Sequence, residues 1–195
     1  MGWRVDDCRV SGAASVSETA SRTSMNPDDL VETFVSKLVD HGVPVQAQDN
    51  LELFARLEQQ LSKRMPQSFE HFLSHYSFPA FDVGGITLFA WGPAVEASEF
   101  FGATSRANGS LSELLVPAGL FQVGRPDTGS FDAICFDLND KAPNREHRLV
   151  CADHEQILCN NRVRITREVW PSFRKLAENT VESDGSSIYY ECLEE

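Results

Sequence analysis

Two groups of histidine, cysteine and acidic residues are the parts of this sequence that could do chemistry. His71 and His75 are four residues apart in a segment predicted to be helical, a spacing that can bring two imidazoles to one metal ion. The segment reads E-H-x-x-x-H, not the H-E-x-x-H of zinc hydrolases, and no third ligand is evident. We therefore expect exposed helix residues and no metal site.

The second group is Cys151, Asp153 and His154. A cysteine nucleophile needs a base held within hydrogen-bond reach. Cys151 and His154 are too close along an extended strand to fix that geometry, and no G-x-S-x-G motif is present. Gly84-Gly85 is not part of G-x-x-x-x-G-K-[ST] or G-x-G-x-x-G, the two glycine motifs that bind phosphates. We predict no catalytic residue and no cofactor, and keep a Cys151–His154 hydrolase as the least favoured alternative.

Acidic residues dominate the middle of the chain. The net charge is -12, and the segment from Met65 to Asp140 contains nine carboxylates and only two arginines. This balance disfavours nucleic acid and anionic membrane surfaces, and suits a basic protein partner. The candidate partner-binding carboxylates are Glu96, Glu99, Asp127, Asp132 and Asp137. The alternative, that these acids are ordinary solvated surface, stays open.

These residues must be positioned by helices followed by strands. Asn26-Pro27-Asp28-Asp29 starts a helix whose apolar stripe ends at Gly42, and two further helices precede Gly84-Gly85. Strands are predicted at 86–91, 120–123, 131–138, 148–151 and 156–159, with helices at 96–101 and 171–179. The prediction is an α+β fold: a mainly antiparallel twisted sheet, helices N-terminal to it and one closing C-terminal helix. Asp132 and Asp137 have opposite parity in their strand, so they face opposite sides of the sheet.

Composition divides the chain into three parts. Residues 1–24 are small and hydroxylated, and we expect a flexible leader upstream of a domain that begins near Met25. Residues 25–182 are expected to form a single domain, and 183–195 an acidic tail with a strand at Ile188–Tyr190. Five cysteines without a C-x-x-C pair favour reduced thiols in the cytoplasm. No apolar run approaches the ~20 residues of a membrane span.

The order of segments over roughly residues 50–180 resembles the SUKH superfamily. The matching pieces are Met65-Pro66-Gln67-Ser68-Phe69-Glu70-His71-Phe72-Leu73, Gly84-Gly85, Leu120-Phe121-Gln122-Val123-Gly124 followed by Gly129, Phe131-Asp132-Ala133-Ile134-Cys135-Phe136-Asp137, Val150-Cys151-Ala152-Asp153-His154-Glu155 and Ser172-Phe173-Arg174-Lys175-Leu176. Two departures are an additional helix in residues 26–50 and Met65 where many members carry leucine.

The resemblance implies an α+β domain that works by binding another protein, without cofactor or catalytic residues. In bacteria, members of this superfamily are immunity proteins that neutralise toxins, often nucleases. That role leads us to expect an acidic face that occludes a basic cleft. A yeast member regulates cell-wall synthesis, so a regulatory adaptor is the alternative. In this comparison the Asp153-His154 segment is a strand end and turn.

Overall fold

The computed structural model describes residues 26–61, 63–93, 109–142 and 145–191. The helices of this part are α1 (Pro27–Asp40), α2 (Leu51–Gln60), α3 (Gln67–His75), α4 (Gly109–Leu115), α5 (His154–Asn160) and α6 (Phe173–Glu182). The strands are β1 (Gln46–Ala47), β2 (Tyr76–Ser77), β3 (Phe81–Val83), β4 (Ile86–Leu88), β5 (Leu120–Pro126), β6 (Ala133–Asp137), β7 (Leu149–Ala152), β8 (Ile165–Trp170) and β9 (Ile188–Tyr189). Across these ranges, no helix combines the length and the apolar composition needed to cross a bilayer.

Seven strands form one sheet in the spatial order β8-β7-β6-β5-β4-β3-β9. Every neighbouring pair in it is antiparallel, and β1 and β2 form a separate antiparallel pair. The predicted α+β class with a mainly antiparallel sheet is therefore confirmed. The strand predicted at Ile188–Tyr190 is present as β9, which lies at the edge of the sheet beside β3.

Local sequence explains how α1 begins and ends. Pro27 occupies the first turn, Asp28 and Asp29 lie near the positive end of the helix dipole, and Gly42 follows the helix with φ +84°. The side chain of Asn26 makes no capping hydrogen bond, contrary to the role its type suggests. The predicted helix is otherwise observed, with its apolar stripe buried against α3 and α6.

The larger core lies on one face of the sheet, beneath α1, α3 and α6. Phe34, Phe69, Phe72 and Phe173 meet there, each at most 1% exposed, and the ring centroids of their contacting pairs are 4.9–6.3 Å apart. Burying one such side chain contributes about 1.5–3 kcal/mol, and the edge-on ring geometry adds to it. The four rings thus fix the orientation of the three helices.

A smaller core covers the other face of the sheet along β5, β6 and β7. Leu111 and Leu115 of α4 and Ile157 of α5 are at most 1% exposed and belong to the same apolar cluster as Cys135 and Val150. The predicted strand at 156–159 is wrong, because this segment belongs to α5. Asp153 caps that helix by accepting a hydrogen bond from Gln156 N, and the helix ends at Asn161 with φ 49°. The predicted helix at 96–101 lies outside the described residues.

The main sheet curls so that β8 approaches the turn between β3 and β4. β8 is four strand spacings from β4, which in a flat sheet would be about 19 Å. Nevertheless Trp170 of β8 donates from Nε1 to the carbonyl of Gly84 in that turn, at 2.9 Å. A Cβ on Gly84 would overlap Leu176 of α6 and touch Trp170, so any other residue here would force these side chains to move. Twist accumulated over several strands brings the two parts together.

Helix α6 carries a compact charge cluster on its outer face. Ser172 caps the helix through Lys175 N at 3.0 Å. Glu178 accepts hydrogen bonds from Arg174 at 2.8 Å and from the Lys175 ammonium at 2.5 Å. Partial burial raises the pKa of Glu178, but the hydrogen bonds and positive charges of its two partners outweigh burial, so its pKa is below its ordinary value.

Candidate functional site

One end of the main sheet brings together the β5–β6 loop and the start of α5. Because β5 ends at Pro126 and β6 begins at Ala133, the connecting loop carries both Asp127 and Asp132 at this end. Asp127 also donates its backbone N–H to Gly85 of the neighbouring turn at 3.4 Å. The pairing of β6 with β7 then brings Asp132 next to the residues that follow β7.

The carboxylate of Asp132 is held by His154. Its Oδ1 accepts the backbone N–H of His154 at 3.1 Å and lies 2.7 Å from the imidazole Nδ1. Partial burial raises the pKa of Asp132, but the hydrogen bonds from His154 outweigh that effect, so its pKa is below its ordinary value. Asp132 is therefore ionised at neutral pH and fixes the orientation of the imidazole.

Asp153 completes a group of three side chains with Asp132 and His154. Each offers one ligand atom, and these atoms all lie within 4.8 Å of one another. The three residues are half-buried, so solvent reaches them from one side. The resemblance placed Asp153 and His154 at a strand end and turn; in the structure Asp153 caps α5 through Gln156 N, and His154 contacts Asp132, 22 residues away.

Phe131 is the most exposed large apolar side chain in the part of the chain that the structure describes. It is 68% exposed and lies in the loop before Asp132, with its ring centroid 6.0 Å from that of His154. We call Asp127, Phe131, Asp132, Asp153 and His154 the strand-end patch. It combines the exposed Phe131 ring with carboxylates of the same loop, Asp127 and Asp132, and such groups can hold a cationic side chain by a cation–π contact and a charge-assisted hydrogen bond.

The structure does not bring Asp137 to this patch. Asp137 lies at the opposite end of β6, with its side chain only 8% exposed. One carboxylate oxygen accepts from Arg148 Nη2 at 2.9 Å and Nε at 3.2 Å, and the other accepts Asn139 N at 3.1 Å. Asp137 is thus an internal ion-pair partner and offers no free carboxylate at the surface. Of the other candidates, Asp127 is exposed, while Glu96 and Glu99 lie outside the described residues.

The surroundings of Cys151 are those of a protonated thiol. Cys151 is 2% exposed, and burial, with the nearby Asp132 carboxylate, raises the pKa of its thiol. Reactive cysteines need the opposite, a positive and partly exposed environment that stabilises the thiolate. His154 meanwhile directs its Nδ1 to Asp132. This geometry gives the Cys151–His154 hydrolase alternative no support.

The histidines of α3 have partners of their own. The His71 and His75 rings stack with centroids 4.3 Å apart. His75 Nδ1 lies 3.0 Å from the backbone oxygen of His71, and His71 Nδ1 lies 3.3 Å from a carboxylate oxygen of Asp28. His75 is exposed as expected, whereas His71 is half-buried. Within the described ranges they do not belong to a group of three metal-ligating side chains.

Two comparisons of the sequence, with protein-family models and with curated proteins, found no relative of this chain. No protein-family model matches the chain. A search of curated proteins likewise found no significant match.

Proposed function

We propose that this chain is a SUKH-like, non-catalytic protein-binding domain and that, in a bacterium, it is an immunity protein. It would neutralise a toxin, often a nuclease, by occluding the toxin's basic cleft. The observation that carries the proposal is the 68% exposed ring of Phe131 next to the carboxylates of the strand-end patch. Aromatic side chains, phenylalanine among them, are enriched at the cores of protein interfaces.

Charge supports a basic partner at this position. A net charge of -12 steers the chain as a whole toward cationic surfaces. The active-site clefts of nucleases are such surfaces, because nucleases bind polyanions. At the patch itself, Asp127 is exposed, and neither Asp132 nor Asp153 forms an ion pair with a lysine or arginine in the part of the chain described. A lysine or arginine of the partner could therefore contact Phe131 and pair with a neighbouring carboxylate.

The proposal locates the protein in the cytoplasm. The cysteines Cys135, Cys151 and Cys159 are free thiols. Reduced thiols are the normal state in the cytoplasm, where an immunity protein would meet a toxin before it damages its own cell.

The test is an affinity pull-down from the native cell lysate, at low and at high salt, followed by direct binding to the retained protein. We expect one basic protein that is released by salt, and inhibition of its activity by this chain. Phe131→Ala should weaken binding by about 2 kcal/mol or more, roughly 30-fold, whereas Asp127→Asn should lower mainly the association rate.

Two matched variants control for non-specific effects. Leu51→Ala removes a 55% exposed side chain on α2, and Glu52→Gln removes an exposed carboxylate on the same helix. Neither should change the affinity. Equal losses in patch and control variants, or a salt-insensitive complex with a cellular regulator, would refute occlusion of a basic cleft and favour the adaptor alternative.

A further inference from the structure

The group of Asp132, Asp153 and His154 has the composition of a transition-metal site. Imidazole nitrogen and carboxylate oxygen are common ligands of Zn²⁺ and related first-row ions. The side chains come from two places in the chain: Asp132 directly precedes β6, and Asp153 and His154 are consecutive residues at the junction of β7 and α5. Pairing between β6 and β7 holds them together, so the group does not depend on one flexible loop.

The spacing of the ligand atoms is close to what one ion requires. A tetrahedral ion about 2.0–2.2 Å from each ligand holds its ligand atoms about 3.3–3.6 Å apart. The three ligand atoms here all lie within 4.8 Å of one another. On binding, the three side chains would move their ligand atoms to the separation that the ion sets. The side chains of Asp132 and His154 are 28% and 24% exposed, which leaves an open side for the ion to enter and for water ligands.

A buried thiol lies near one member of the group, Asp132. Cys151 is 2% exposed, and its sulfur is close enough to Asp132 for the two to interact electrostatically. The sulfur is not in the group whose ligand atoms all lie within 4.8 Å of one another, so Cys151 is a neighbour of Asp132 and not one of the three ligands. The two carboxylates carry two negative charges, and among the described residues His154 is the only side chain that forms an ion pair with either of them.

We propose that Asp132, Asp153 and His154 bind one divalent transition-metal ion of the Zn²⁺ class. This inference does not depend on the proposed protein-binding function. The ion replaces the hydrogen bond between Asp132 and His154 and ties the start of β6 to the start of α5. Bound metal also reduces the negative charge of the strand-end patch.

The test is calorimetric titration of Zn²⁺ into the chelator-treated full chain under reducing conditions. We expect one ion per chain. Asp153→Asn keeps a capping side chain for α5, and Asp132→Asn keeps an acceptor for His154 N, so both variants should fold. Each should weaken Zn²⁺ binding at least about tenfold, the lower end of what ligand-shell changes produce, as should His154→Gln.

Two controls separate this site from other metal-binding groups. Asp127→Asn changes a carboxylate of the same loop outside the group, and His71→Gln changes the histidine pair of α3; both should bind Zn²⁺ as the unaltered chain does. Co²⁺ should also shift the His154 imidazole signals in NMR spectra. No binding up to about 1 mM Zn²⁺, or an affinity that falls with His71→Gln but not with His154→Gln, would overturn the proposal.

Discussion

Substituting the two glycines of the β3–β4 turn one at a time tests the closure of the main sheet. Gly84 and Gly85 have φ values of +57° and +83°, so alanine at either position incurs a left-handed backbone penalty of about 1–2 kcal/mol. A Cβ on Gly85 meets no atom within 4 Å, whereas a Cβ on Gly84 would overlap Leu176 and touch Trp170. Overpacking of this kind adds about 1–3 kcal/mol. We therefore expect Gly84→Ala to cost about 2–5 kcal/mol and Gly85→Ala only about 1–2 kcal/mol.

The assay is equilibrium urea unfolding followed by tryptophan fluorescence, with the m-value checked for constancy so that a change in midpoint reports stability. Trp170→Phe removes the donor to Gly84 and should cost about 0.5–1.5 kcal/mol. Because Trp170 is one of the groups that a new Cβ meets, Gly84→Ala combined with Trp170→Phe should lose less stability than the sum of the two single losses. Equal losses for the two glycine variants, or strict additivity with Trp170→Phe, would refute the close approach of β8 to this turn.

Three further predictions follow from the charges and thiols described above. Glu178→Gln should lower the free energy of unfolding at pH 7. Because the pKa of Glu178 in the folded state lies below its ordinary 4.5, the difference in unfolding free energy between the variant and the unaltered chain should shrink as acid protonates the carboxylate. Urea titrations at pH 7 and about pH 3 measure this difference, and a difference that does not change with pH contradicts the prediction. Arg148→Met should destabilise the fold more than Asp137→Ala, since it leaves the Asp137 side chain, which is 8% exposed, without its two guanidinium donors and its ion-pair partner, whereas the Arg148 side chain is 40% exposed and can be solvated; thermal unfolding of the two variants decides the order. A thiol reagent added to folded protein should modify Cys159 well before the other two described cysteines, because it alone of the three is exposed, and peptide mapping by mass spectrometry reads out the rates.

Local signals explain the parts of the fold that could be predicted. Helix α1 has a proline in its first turn, two acids near its start, a single apolar stripe and a glycine after its end, and all of these act within a few residues. The strands β5, β6 and β7 are nearly continuous apolar runs, because helices cover both of their faces. Such patterns depend on neighbours in sequence and can be interpreted without a fold.

The features of the fold and the site that could not be predicted depend on contacts between residues that are distant in sequence. The short apolar pattern of Gln156–Cys159 fits a strand as well as a helix. The feature that favours the helix is the cap by Asp153, and this cap is a single hydrogen bond. Strand β8 was not predicted because, as an edge strand, it carries exposed Arg167 and Glu168 in its middle. The contact between Asp132 and His154 requires the register of β6 on β7, and the ion pair that removes Asp137 from the surface requires Arg148 on the adjoining strand.

The pairing of β3 with β9 has a consequence for folding during synthesis. Asp82 pairs with Tyr189, so roughly a hundred residues separate the two strands, a delay of about 5–20 s at a ribosomal rate of ~5–20 residues per second. Throughout that interval one edge of the β3–β4 hairpin has no partner strand. For most of it the apolar core that buries Phe81 and Val83, both at most 2% exposed in the finished fold, also lacks the side chains of α6. Such an edge is the kind of site at which nascent chains associate with one another. A chaperone that binds extended apolar segments would therefore act on this hairpin first, and its release would be timed by the arrival of the last strand.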